Sequence, residues 1–335
     1  MKAWVIERFG LDGLRQVERP EPAPGPHEVR VRVRACSLNY RDLMTLEGSY
    51  NPRQRLPLVP LSDGAGEVEA VGPGCTRVKP GDRVMGIFAQ RWLAGPLSSE
   101  ARASTLGGPL SGMLAERVVL HEDGLVHVPG HLGFEAAACL PCAALTAWNA
   151  LVDKGRIKAG DALLVQGTGG VSLFALQLGL AMGARVMVTS ASDEKLARAS
   201  ALGASQTVNR VARPDWDAAA REWTGGEGVD HVLEVGGADS LARSLGAVRL
   251  DGGVYVIGVL GGVKAEVPLT SILMKQARVQ GVFTGSRTLL EDLCRAVEAL
   301  RLEPVLDQVF PFAEVPAAFE RMRRGLHFGK IAIRV

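Results

Sequence analysis

Gly167-Thr168-Gly169-Gly170 is the point in this chain where the residue types could do chemistry on a charged ligand. Glycines at 167 and 169 let the backbone reverse and bring its N–H groups close to a pyrophosphate. From Val171 onward apolar residues recur on a helical period until Gly183, and the first N–H groups of such a helix, with its positive dipole end, point at the same anion. Ser172 occupies the third glycine position of G-x-G-x-x-G, so the spacing alone is weak and the flanks must carry the reading. They do. Ala162–Gln166 is a short apolar run before the turn, and Arg185–Thr189 is a second run at the crossover length of a right-handed βαβ unit. Asp161 to Ser190 is therefore expected to be a dinucleotide-binding unit, with Gly167, Thr168, Gly169, Gly170 and Val171 at the phosphates.

The end of the second run bears on which dinucleotide. An acid about 20 residues beyond the glycine turn accepts hydrogen bonds from a ribose 2′-hydroxyl and repels a 2′-phosphate. Ser190 stands there, in VTSASDEK, and Ser190, Ser192, Lys195 and the later Arg210 can all donate to a phosphate. NADPH is expected over NADH, with Asp193 and Glu194 opening the next helix as acidic first-turn residues.

Around that unit the chain changes character twice. The first ~125 residues read as β-rich, with alternating runs such as Glu28–Ala35 and Gly66–Val71 between Pro and Gly clusters. From about Phe134 to Val267, apolar runs alternate with helical segments, giving the parallel strands Ala162–Gln166, Arg185–Thr189, His231–Glu234 and Gly253–Ile257. From about Arg278 the β character returns, and the chain closes on the strand Lys330–Val335. The expected division is a discontinuous β-rich domain, 1–125 with 275–335, around a Rossmann NADP-binding domain at 126–274. The strand Gly253–Ile257 is expected at a sheet edge, where pairing with a twin would make a homodimer.

A length of 335 residues with 47% hydrophobic content suffices for two cores, and a net charge of +2 provides no basic footprint for nucleic acid. A small-molecule acceptor is the expected partner. No apolar run is read as approaching the ~18 residues of a membrane span, and MKAWVIERFG lacks the apolar core of a signal peptide, so no membrane association and a cytoplasmic location are expected. Five cysteines, at 36, 75, 139, 142 and 294, have no disulfide-framework spacing and fit reduced thiols. Cys139 and Cys142 form a C-x-x-C, but in the apolar helical segment AACLPCAALTAW they read as small hydrophobes rather than a redox pair. His121, His127 and His131 read as surface or turn residues.

Seven segments, in order along the chain, carry a resemblance: ACSLNYRDLM (35–44), LSDGAGEVEAVG (61–72), VKPGDRV (78–84), LPCAALTAWNAL (140–151), the glycine turn, GVFTGSR (281–287) and the terminal GKIAIRV. Together the chain resembles the medium-chain dehydrogenase/reductase superfamily, in its zinc-independent quinone oxidoreductase-like branch. The resemblance implies a GroES-like catalytic domain beside a Rossmann doubly wound parallel sheet, with a substrate cleft between them. It places Asn39 and Tyr40 at the floor of the nicotinamide site, Asn39 as a hydrogen-bonding amide and Tyr40 as a proton donor. Against this stands a reading in which Asn39 caps the helix starting near Arg41 and Tyr40 packs at the domain edge. Asp42 reads as a first-turn carboxylate that holds the fold. Thr146 matches the position whose hydroxyl approaches the nicotinamide amide, or else is a helix threonine bonded back to a carbonyl. Val235, Gly236, Gly258 and Val259 follow parallel strands at their carboxyl ends, where ligands bind. Phe283, Gly285, Arg287 and Lys330 resemble residues that flank the cofactor, and each could equally serve packing or a turn. Phe88 and Trp92 precede the irregular stretch Ala94–Gly112 and either line the acceptor site under a lid or anchor an excursion of chain.

The departure from the superfamily concerns metal. Zinc-dependent relatives bind the catalytic ion through a Cys, a His and a Cys or Asp at the places that here read Asn39, Ser62 and Cys142. One thiol cannot hold an ion that takes three protein ligands. The four cysteines of the structural zinc lobe are also missing, so no zinc is expected. Without that Lewis acid, alcohol oxidation is disfavoured, whereas a quinone or α,β-unsaturated carbonyl accepts a hydride readily because the charge delocalises. The expected activity is NADPH-dependent hydride transfer to such acceptors. The alternatives are an alcohol or aldehyde dehydrogenase, and a low-turnover NADPH-binding sensor or structural protein.

Overall fold

A computed structural model describes all 335 residues. The alternation RVRVR in the first domain dictates its central strand. Val29, Val31 and Val33 point into a core with Leu38, Leu61, Val68 and Phe319. Arg30, Arg32 and Arg34 point outward onto Glu69 and Glu67 of the neighbouring strand. The strands of this domain are β1 (Lys2–Ile6), β2 (Leu14–Glu18), β3 (Glu28–Ser37), β4 (Asp63–Val71), β5 (Arg83–Gly86), β6 (Arg117–His121) and β7 (Leu125–His127). After the inserted second domain come β14 (Leu306–Pro311) and β15 (Lys330–Arg334). Their main sheet runs β14-β15-β3-β4-β5-β7, with β6 also paired to β3 and with β1-β2 as a separate ribbon. The closing strand thus lies antiparallel beside β3, Ala332 opposite Ser37.

The second domain contains β8 (Ala162–Gln166), β9 (Arg185–Ser190), β10 (Gln206–Asn209), β11 (Val229–Glu234), β12 (Val248–Val256) and β13 (Arg278–Gly281). They form one sheet in the order β10-β9-β8-β11-β12-β13, parallel throughout. That is the doubly wound Rossmann order, whose direction reverses between β8 and β11. Every residue of β8 is buried, as a central parallel strand requires. The helix Gly170–Ala181 packs closely on the sheet at Gly179, where a Cβ would come within 2.9 Å of Leu163.

Three expectations need correction. The compact units divide at Leu145/Thr146 and Phe283/Thr284 rather than at 125/126 and 274/275. One reason is that the segment after Phe134 bonds into the first domain, Ser37 Oγ donating to Ala138 O at 2.8 Å. The strand at Gly253–Ile257 is not an edge: it is part of β12, and β13, read from sequence as the return of the first domain, covers it as the sixth parallel strand. Finally, the helical stretch Phe134–Lys154 is long and apolar enough to cross a membrane, although 78% of its apolar window is buried inside the protein, as in a core helix.

Candidate active site

In the second domain the glycine turn lies where β8 ends. Gly167 has φ +71° and a Cβ there would meet nothing within 4 Å, so the position needs a glycine for its conformation and leaves open space above it. Its N–H donates to Thr189 O at 2.7 Å, which ties the turn to the end of β9. Gly169 caps the helix Gly170–Ala181, and Thr168 is buried beneath. Ser172 is the departure from three glycines, and its hydroxyl donates to Gln166 O at 2.7 Å, fastening the helix to the strand. The cradle fits a pyrophosphate.

Beside it, Asn209 lies in register with Ser190, and Arg210 N donates to Ser190 O at 2.9 Å. Buried Ser190 and exposed Arg210 are thereby brought together at the ends of β9 and β10. Ser192 is the N-cap of the helix Asp193–Ala201, its Oγ accepting from Lys195 N. The Asp193 carboxylate is turned onto Asn209 Nδ2 at 2.7 Å. Across the switch point, the ends of β11 and β12 approach so closely that a Cβ on Gly258 would stand 2.3 Å from Val235 O. Gly236 and partly exposed Val259 lie on the same two loops. Phe283 ends the domain and Thr146 begins it, buried in the helix Leu145–Trp148.

In the first domain a buried polar nest gathers Ser37, Asn39, Arg41, Asp42, Ser62, Asp63 and Lys330. Asn39 is the N-cap of the helix Tyr40–Leu46, and its N–H donates to Asp42 Oδ2 at 2.9 Å. Its side-chain amide is spent inside the protein: Nδ2 donates to Asp63 Oδ2 at 2.9 Å, and Oδ1 accepts from Lys330 Nζ at 2.6 Å. Lys330 Nζ also donates to Leu38 O. Ser62 Oγ donates to Asp63 Oδ1 at 2.8 Å and lies 3.5 Å from Asn39 Nδ2. Burial pushes the Asp42 carboxyl up to about 6, with Arg41 pulling the other way. Burial raises Asp63 as well, against the lowering influence of Lys330. The thiol of Cys139 is pushed up to about 12 by burial, and Cys142 also rises by burial, with the Asp63 carboxylate adding to it.

The nest corrects several sequence expectations. Asn39 and Lys330 bond to each other, because a buried ammonium and a buried amide must find partners. Arg287 gives its guanidinium to Asp123, at 2.8 Å from Oδ1. Gly285 is a packing glycine, since a Cβ there would come 2.8 Å from Leu145. Phe88 and Trp92 are buried, Trp92 Nε1 donating to Gly95 O. Seven of the nineteen residues 94–112 are buried: Leu106 N bonds Phe88 O, and Arg41 donates to Leu106 O and Gly108 O while lying over the rings of Tyr50 and Phe88. Tyr40 is 44% exposed, with its phenol outside the nest.

Zinc does not fit the donors at Asn39, Ser62 and Cys142. The amide and hydroxyl are committed to Asp63 and Lys330, which leaves a single thiol where three ligands are needed. No group of three His, Cys, Asp or Glu side chains is arranged to hold an ion.

Residues 25–130 match the alcohol dehydrogenase GroES-like domain, and residues 170–299 match the zinc-binding dehydrogenase family. A zinc-type alcohol dehydrogenase-like protein of Schizosaccharomyces pombe is 42% identical over 98% of this chain and 97% of its own length. A quinone oxidoreductase-like protein 2 of Bos taurus is 30% identical over 95% and 88%. Among solved structures, a putative alcohol dehydrogenase of Sinorhizobium meliloti superposes with a TM-score of 0.94 at 47% identity, covering 100% of this chain and 98% of that one. A crotonyl-CoA carboxylase/reductase in complex with NADP superposes at 0.88 with 25% identity, covering 100% and 95%. The fold, the glycine cradle and these likenesses place the chain in the medium-chain dehydrogenase/reductase superfamily, as an oxidoreductase that works with a nicotinamide cofactor.

Proposed function

We propose that the chain is a zinc-independent, NADPH-dependent reductase of quinones or α,β-unsaturated carbonyls. The observation that carries the reading is the closed bonding of Asn39 and Ser62, which leaves no set of free donors for a Lewis-acid metal. Activating an alcohol needs such an acid, whereas a conjugated acceptor needs chiefly orientation and hydrogen-bond donors. When bound, the reduced nicotinamide supplies the hydride. The chain's own residues hold the pyrophosphate on Gly167–Gly170 and receive a 2′-phosphate between Ser190, Ser192 and Arg210, with the Asp193 carboxylate turned onto Asn209. Solvent returns the proton.

Fluorescence titration with both cofactors tests this, followed by NADPH oxidation on quinones, enals and aldehydes with zinc content measured. Arg210→Ala should weaken NADPH roughly tenfold and leave NADH unchanged, as expected for one charge-assisted phosphate contact. Equal affinity for the two cofactors in the parent protein would refute the preference. A second reading, alcohol dehydrogenase, is favoured by the name of the Schizosaccharomyces pombe relative. Chelator-sensitive alcohol oxidation would establish it in place of the first.

The proposed quaternary state is a homodimer through β13 rather than β12. All four β13 residues are exposed at the sheet edge, and the adjoining Leu269, Leu273 and Met274 are each 76% exposed. Pairing with a second copy would continue the six-stranded sheet and cover those side chains. Leu273→Glu with Met274→Glu should sediment as a monomer, and an unchanged mass would overturn the assignment. Five unpaired thiols fit the proposed cytoplasmic setting.

A further inference from the structure

We infer that Gln166 and Glu234 are positioning residues for the cofactor, a buried amide–carboxylate pair that fixes the loops receiving its nicotinamide half. The inference rests on the dinucleotide reading above and concerns two residues that lie outside the glycine turn.

Glu234 is the last residue of β11 and is fully buried. No basic side chain bonds to it, yet burying a carboxylate without partners is unfavourable, so its donors must be built into the fold. They are all neutral. Oε1 accepts from Gly236 N and Gly237 N, each at 2.8 Å, and from Ser240 Oγ at 2.5 Å. Oε2 accepts from Gln166 Nε2 at 2.8 Å and from Ser244 Oγ. The carboxylate is a template around which residues 235–240 are wrapped. The wrap has no slack: a Cβ on Gly236 would stand 2.2 Å from Ser240 Oγ, and Gly237 sits at φ +82°.

Gln166 extends the template to the cradle. It is the last residue of β8, immediately before Gly167, and its Oε1 accepts from Val235 N and Gly236 N at 3.2 Å. Its main-chain oxygen holds Ser172 in the first turn of the cradle helix. The loop after β12 is pegged to the same frame by its backbone, Ile257 N to Glu234 O at 2.9 Å and Gly261 N to Gly236 O at 2.6 Å. Three loops at the carboxyl ends of β8, β11 and β12 therefore share one buried pair. The adenine side, with Ser190 at the end of β9 and Arg210 just after β10, does not depend on it. A dinucleotide lies across the switch point, so its nicotinamide half falls over the loops that the pair fixes.

Glu234→Gln is nearly isosteric but opposes two amide donors, and turning Gln166 over to accept would aim its NH₂ at Val235 N and Gly236 N. Gln166 Nε2 retains Ser244 Oγ as an acceptor, but its bond to residue 234 is lost unless Gln166 gives up Val235 N and Gly236 N. The variant is compared with the parent protein for near-UV circular dichroism, thermal midpoint, and the Kd of NADPH and of 2′,5′-ADP, which carries only the adenine half. The expected result is a folded variant whose Kd for NADPH rises about tenfold or more, the scale of one lost hydrogen bond to a charged group, with 2′,5′-ADP within about twofold. An unchanged NADPH Kd, or equal weakening of both ligands in a folded protein, overturns the inference. Should Glu234→Gln not fold, Ser240→Ala removes one donor and is read by the same split of the two ligands. A parent protein that binds neither NADPH nor NADH would instead refute the dinucleotide reading itself.

Discussion

Replacing Lys330 by Met probes the nest most sharply. The ammonium is 3% exposed and bonds Leu38 O and Asn39 Oδ1, so Lys330→Met orphans two buried acceptors at about 1–3 kcal/mol each. It also removes the cation that holds down Asp63. Relief of the buried ammonium's own desolvation offsets part of this, and the net loss near pH 7.5 should be about 3–5 kcal/mol, the scale for breaking a buried charge pair. The pH dependence identifies the cause. Asp63 already has a folded pKa above its unfolded value, so its ionisation costs stability as pH rises from about 4, and losing Lys330 lifts the folded pKa further. Relative to the parent, the variant's deficit should be smallest below about pH 4 and widen toward neutrality. Each further pKa unit on Asp63 adds about 1.4 kcal/mol. Urea unfolding at several pH values reads this directly, with Lys330→Met/Asp63→Asn recovering the pH-dependent part. A deficit independent of pH, or one that shrinks toward neutrality, would refute the electrostatic account of the nest.

The Asp42 carboxyl, raised from 3.8 to about 6, favours the folded state while protonated, so unfolding free energy should fall by about 3 kcal/mol as pH rises from about 4 to 6. A titration of parent against Asp42→Asn, which lacks that slope, checks it. Gly167→Ala should cost only about 1–2 kcal/mol of stability, since φ is +71° and a Cβ there meets no protein atom within 4 Å, yet the methyl occupies the cradle. Isothermal titration should then show cofactor affinity lost by far more than the stability change. Cys139 and Cys142, buried and with raised pKa values, should resist iodoacetamide at pH 8 until the protein unfolds, as peptide mapping would report.

Local pattern made the cradle legible, because a strand, a glycine turn and a helix within thirty residues constrain one another. The valines and arginines of β3 were equally plain, since alternation assigns each side chain a face. Lys330 was not legible as a partner of Asn39, from which it is separated by 291 positions: only the antiparallel docking of β15 on β3 brings them together. Arg278–Gly281 was misread because a short, wholly exposed strand has no buried face to betray its sheet. Glu234 carried a signal that went unused. A carboxylate closing the apolar run HVLE, just before Val-Gly-Gly, marks the end of a buried parallel strand where backbone N–H groups are free to bind it.

The proposed reaction is metal-free reduction of a conjugated acceptor at the expense of NADPH. Its most direct test is the rate of NADPH oxidation by a simple quinone, with protein dialysed against chelator and zinc determined on the same sample. Turnover that neither the chelator nor added zinc changes is expected. Turnover that disappears on dialysis and returns in proportion to bound zinc would contradict it.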